Sequence, residues 1–149
     1  PERTDFTQLL ARTQLALGLT NEAEETLAIC LEVFGNSVSA HLLQAQIAYE
    51  KGEHKKALTH LEVARAQSPR TPAILELSCR AYAVLGKWKQ ARKTADLLLG
   101  IDPTNIQAHV TLTRCQLQEK QPEAAVQTAL AATALLVSAC TNLSEQRMV

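Results

Sequence analysis

The chain has 149 residues, of which 23 are Ala and 23 Leu, while five are aromatic, five Gly and five Pro. That length and a 46% hydrophobic content suffice for one domain with a core, and the Ala/Leu excess favours helices over a sandwich or barrel. Fifteen basic residues against fifteen acidic ones argue against a domain that mainly binds nucleic acid or a membrane surface.

The chain repeats itself. Gly18, Gly52 and Gly86 are spaced by 34 residues, as are Ala23, Ala57, Ala91 and Ala125, and Pro69 precedes Pro103 by the same interval. In chain order, the apolar spacing and these punctuating residues predict helices at 4–17, 20–33, 38–51, 54–67, 72–85, 88–100, 106–119 and 122–137. The first pair carries Leu10, Ala11, Gly18, Ala23, Leu27 and Cys30, and the second Ala45, Gly52, Ala57, Leu61, Ala64 and Pro69. The third is the cleanest, with Leu75, Ser78, Cys79, Tyr82, Gly86, Trp88, Ala91, Ala95, Leu98 and Pro103. The fourth has Leu112, Thr113, Gln116, Ala125, Ala129 and Ala132, with Lys120 at the turn position that Gly holds elsewhere.

Each residue type has a reason to recur. Ala11, Ala45, Cys79 and Thr113 are small where paired helices approach closely. The turn glycines take the left-handed conformation that ends the first helix. Ala23, Ala57, Ala91 and Ala125 face back across the pair, and Ala57 and Ala91 are expected to be buried. Pro69 and Pro103 stop the second helix, and Thr104 or Asn105 can cap the next one.

In these positions the chain resembles the tetratricopeptide repeat family. The resemblance covers about 4–139, with units at 4–37, 38–71, 72–105 and 106–139, and leaves 140–149 as a C-terminal tail, read as a truncated helix. Departures are Lys120 for the turn Gly, Gly35 and Val137 for Pro, and Ala95 and Ala129 for the large aromatic residue of the second helix. The fold implied is all-α, a right-handed superhelical solenoid of four helix-turn-helix repeats.

The resemblance also implies a groove lined by the first helix of each pair. The ninth position of each unit then holds Arg12, Gln46, Arg80 and Arg114, so three of the eight arginines share one register. The fifth position holds Gln8, Leu42, Glu76 and Val110, and the sixth Leu9, Leu43, Leu77 and Thr111. An Arg/Gln ladder beside an apolar ledge suits carboxylates and aliphatic side chains. The ladder has a simpler use, since Glu76 stands four residues before Arg80 and can pair with it along the helix. The dicarboxylate clamp known in the family needs Lys, Asn, Asn, Lys and Arg at the places where Gln8, Arg12, Leu43, Ala73 and Leu77 stand, and is absent.

No pattern points to catalysis: there is no Gly-rich phosphate loop, GxSxG elbow or HExxH. His41 and His109 share a packing register, and His54 and His60, six apart, lie on different faces of one helix. Cys30, Cys79, Cys115 and Cys140 form no CxxC and have no His in helical reach, so reduced thiols in a cytoplasmic setting are expected, with no metal or cofactor. Glu22, Glu24 and Glu25 read as a solvated helix start, and Lys87, Lys89, Arg92 and Lys93 as a basic face. The stretch from Ala124 to Ser144 has no charge, but seven of its residues are Gln, Thr, Ser or Asn, which argues against a membrane helix. The opening PERTDF, without Met, suggests a segment of something longer. The expected function is a non-catalytic scaffold that binds a partner protein or peptide segment in the groove. The alternatives are a regulatory or positioning segment of a multidomain enzyme, and homo-oligomeric self-assembly through an exposed terminal face.

Overall fold

The computed structural model describes the backbone of residues 2–35 and 37–146 and the side chains of 6–35 and 37–138. Among them are eight helices and no strand: α1 Glu2–Ala16, α2 Thr20–Phe34, α3 Val38–Glu50, α4 His54–Gln67, α5 Pro72–Val84, α6 Trp88–Ile101, α7 Ile106–Gln118 and α8 Pro122–Gln146. Seven agree with the sequence expectation to within two residues at either end. The eighth does not: α8 runs on to Gln146, through most of what reads in sequence as a tail, because no Pro, Gly or charge cluster follows Val137 to stop it. Residues 147–149 of that tail lie outside the described residues.

The turns within each pair share one hydrogen-bond pattern. The N–H groups of Leu19, Glu53, Lys87 and Gln121 donate to the carbonyls of Gln14, Ala48, Tyr82 and Gln116, at 2.8–2.9 Å. This is the Schellman closure of a helix, and it needs one left-handed residue. Gly52 supplies it with φ +79°, and a Cβ there would meet no atom within 4 Å, so conformation rather than room demands the glycine. In the fourth turn Lys120 takes the same conformation, φ 58°. A left-handed L-residue costs about 1–2 kcal/mol, against about 0.5–1 kcal/mol for the unfolded-state freedom of Gly. Lys120→Gly should therefore stabilise the chain by about 0.5–1 kcal/mol, read as a higher urea midpoint with an unchanged slope.

The chain divides into two compact units, Pro1–Leu77 and Ser78–Val149, with the division inside α5. In the first unit α1 packs on α2, α2 on α3 and α3 on α4. Its core joins Ala11 of α1 and Ala23, Leu27 and Cys30 of α2 to Ala40, Leu43 and Ile47 of α3, with Leu15 and Leu31 at the edge. Glu24 of α2 ties this packing at the surface, meeting Lys51 at 2.5 Å and Lys56 of α4 at 2.8 Å. The start of α2 is thus ionically engaged, not merely solvated, and the two ammonium groups hold the Glu24 carboxyl below its ordinary range.

In the second unit α6 packs on α7 and α7 on α8. Ala91, Ala95 and Leu98 of α6 are buried, as are Ala108, Thr111 and Cys115 of α7. Ala57 and Ala91 have no exposed surface, as their register requires. Asn105 caps α7, its side chain accepting from Ala108 N–H at 3.0 Å, and Ser37 caps α3 through Ala40 N–H.

Candidate functional site

The first helices of the repeats present two clefts, one in each unit. In the first unit Arg12 and Leu15 of α1 face Ser39, Leu42, Leu43 and Gln46 of α3 across a cleft of about 370 Å³. Helical spacing brings these residues together, because Leu42 and Gln46 are four apart, as are Ser39 and Leu43, and Arg12 and Leu15 are three apart. Arg12 is exposed and has no hydrogen-bonded or ionic partner among the described residues. A guanidinium there stands ready for a carboxylate or a backbone carbonyl.

In the second unit α7 and α8 border a mostly apolar cleft of about 300 Å³, lined by Val110, Thr113 and Arg114 of α7 and by Ala129, Ala132 and Leu136 of α8, among others. Arg80 of α5 is exposed. The sixth-position residues Leu43, Leu77 and Thr111 are buried, and only Leu9 of that register is open. Leu43 offers an edge to its cleft, and Leu77 is a core residue. Gln8 is turned away from binding work, donating to the Ser37 hydroxyl at 3.0 Å.

Histidine placement holds a feature that helical spacing within one element cannot reveal. His41 of α3 and His60 of α4 meet with their Nδ1 atoms 3.1 Å apart and ring centroids at 5.4 Å. Two neutral rings can share one proton there, and two protonated rings cannot. His41 Nε2 is buried without a hydrogen-bond partner, so a proton on Nδ1, donated to His60, leaves the smaller deficit: an unfilled acceptor rather than an unpaired N–H. Burial holds the pKa of both rings below the ordinary histidine value. For His60 the neighbouring His41 and Lys56 add to this, and Glu24 opposes it.

The sign of the pH effect follows. Unfolded histidines take up protons near pH ~6.5, and the folded pair takes them up only at lower pH. Stability is therefore complete above that value and lost as pH falls below it. The denaturant midpoint should hold from pH ~8 to ~7 and drop between pH ~6.5 and ~5. His41→Leu, which copies the buried Leu75 one repeat later, should flatten that drop.

His109 borders the α7–α8 cleft, its Nε2 lying 2.9 Å from the Pro103 carbonyl. Cys30, Cys79 and Cys115 are buried and unbridged. Burial pushes the Cys115 thiol up, and it points at the Trp88 carbonyl at 3.6 Å. The side chain of Cys140 lies outside the described residues. In the basic cluster Arg92 pairs with Glu119, which leaves Lys87, Lys89 and Lys93 as exposed cations. No helix among the described residues is long and apolar enough to cross a membrane.

These features define an array of helix-turn-helix repeats with a cleft in each unit. Residues 9–72 match the tetratricopeptide repeat family model, and the chain belongs to the tetratricopeptide repeat family. It is 32% identical over 107 residues to the CTR9 homolog of Arabidopsis thaliana, which takes in 70% of this chain and 10% of that protein. The chain thus spans about a tenth of the length of that curated relative. Among solved structures it superposes on MamA with a TM-score of 0.86 at 18% identity, covering 93% of this chain and 81% of that one. MamA from Desulfovibrio magneticus RS-1, residue 41 to the end, gives 0.82 at 18% identity, covering 91% and 76%. At that identity the likeness is one of fold.

Proposed function

We propose that the chain is a non-catalytic scaffold that holds an extended segment of a partner protein against the first-helix face of its repeats. The single observation that carries this reading is the α1–α3 cleft, where the exposed Arg12 and the Gln46 amide stand beside Leu15, Leu42 and Leu43. A segment alternating acidic and aliphatic residues suits it: a carboxylate on Arg12, main-chain groups on Gln46, and an aliphatic side chain among the leucines. In the second unit Val110 and Arg114 repeat the same pairing of apolar residue and guanidinium on α7, and Arg80 shares the register of Arg114. The short match to a much longer relative supports a second reading, a positioning segment within a larger protein, in which the same face docks a neighbouring part of the assembly.

Random-peptide display on the immobilised chain tests the proposal. Selection should enrich acidic–aliphatic peptides that bind less tightly to Arg12→Ala/Gln46→Ala, with the difference shrinking at high salt. Enriched peptides that bind the double variant as tightly as the wild type would overturn it.

A further inference from the structure

The His41–His60 contact joins α3 to α4 beside the α1–α3 cleft, and partner binding in that cleft makes no direct use of it. The two Nδ1 atoms are 3.1 Å apart and the ring centroids 5.4 Å, so the nitrogens point at each other along one line, as an N–H···N hydrogen bond requires. Such a pair has four ring nitrogens and, when neutral, two N–H groups. One of these lies in the contact. With Nδ1–H on His41 the other sits on Nε2 of the part-exposed His60, and His41 Nε2 keeps a lone pair.

A third proton cannot be housed while the contact lasts. The two Nδ1 atoms hold one hydrogen between them, so both Nε2 atoms would have to carry the others, whichever ring is the cation. His41 Nε2 is buried with no hydrogen-bond partner, and an N–H created there is an unpaired donor. The charges around the pair give little relief. Lys56, on the same helix as His60, opposes a positive His60. Glu24 of α2 favours it, but its oxygens are already held by Lys51 at 2.5 Å and Lys56 at 2.8 Å. Among the described residues no other charged group bears on either ring. The first extra proton therefore opens the contact, and once it is open the second ring titrates with the first.

The contact holds a wall of the cleft. His41 is followed in α3 by Leu42 and Leu43, which line the α1–α3 cleft, and Leu43 also belongs to the core with Ala11 and Leu27. We propose that the His41–His60 contact is an acid-released latch on α3: neutral rings hold α3 where it shapes the cleft, and a third proton frees it and lowers the affinity for a partner segment. This regulation rests on the proposed role of the cleft. Burial keeps both rings below the ordinary histidine pKa, so the closed form is complete above pH ~6.5 and is lost as pH falls below it.

Side-chain and amide ¹⁵N spectra of the labelled chain between pH ~7.5 and ~5, without peptide, read the latch itself. At neutral pH His41 should carry its hydrogen on Nδ1 and His60 on Nε2, and on acidification both rings should take up protons in one step steeper than a single titration. The amides of Leu42, Leu43 and Gln46 should shift with the same midpoint. They should stay still in His60→Gln, and in His41→Leu should the first variant fold poorly. Affinity for a display-selected acidic–aliphatic peptide should fall about tenfold in the wild type between pH ~7 and ~5.5 and less than about twofold in the variant, the peptide carboxylates staying ionised over that range. Ring titration with unmoved α3 amides would overturn the latch, since His60 alone would then swing out, and so would an equal fall in affinity for wild type and variant. Failure of every peptide to bind at any pH strikes the role of the cleft instead, and the α3 amides of the free chain still decide the latch.

Discussion

Leu27→Ala should lower the unfolding free energy by about 2–5 kcal/mol, because a buried leucine removed from a packed core leaves both lost transfer energy and a cavity. Leu27 has no exposed surface and sits at the meeting of α1, α2 and α3, so no neighbour is free to collapse into the space. The opposite error is expected at Ala91, equally buried beside α5, where the Cys79 thiol reaches its carbonyl. Ala91→Leu should cost about 1–3 kcal/mol through overpacking. At Ala129, in the register of Leu27 but exposed, an added side chain should cost almost nothing in the isolated chain. Urea titrations of the three variants check all of this, and equal losses at Leu27 and Ala129 would contradict the assigned register.

The second large effect concerns binding. Against a peptide recovered by display that covers the exposed guanidinium, Arg12→Ala should lose about 1.5–3 kcal/mol, the range for a hydrogen bond to a charged group. A loss within about 0–1 kcal/mol would place that contact in open water. Arg12→Lys should recover only part of the affinity, because an ammonium lacks the two-pronged geometry of the guanidinium. Isothermal titration at low and high salt separates these outcomes.

The fold was legible because small residues and left-handed turns recur at one interval. Ala57 and Ala91 had to be small for helices to close on them, and Gly52 had to adopt a conformation that Lys120 takes only under strain. The end of α8 was not legible, since a helix stops where a residue stops it and none follows Val137. Arg12, Leu42, Leu43 and Gln46 could be placed on one face by counting, and they do border one cleft. The depth of each residue in that face could not be counted, and Leu77 turned out to belong to the core. The His41–His60 contact escaped because it joins two helices across a turn, at a separation that spacing within a single helix does not encode. Glu24 escaped for the same reason, its two lysines lying near and beyond the end of α3.

The most direct measurement of partner binding is amide chemical-shift mapping of the ¹⁵N-labelled chain, titrated with a display-selected peptide. Shifts are expected on Arg12, Leu15, Ser39, Leu42 and Gln46, saturating together with the peptide's own resonances. Shifts confined to the exposed cations Lys87, Lys89 and Lys93, with the α1–α3 cleft silent, would contradict a first-helix groove as the binding surface.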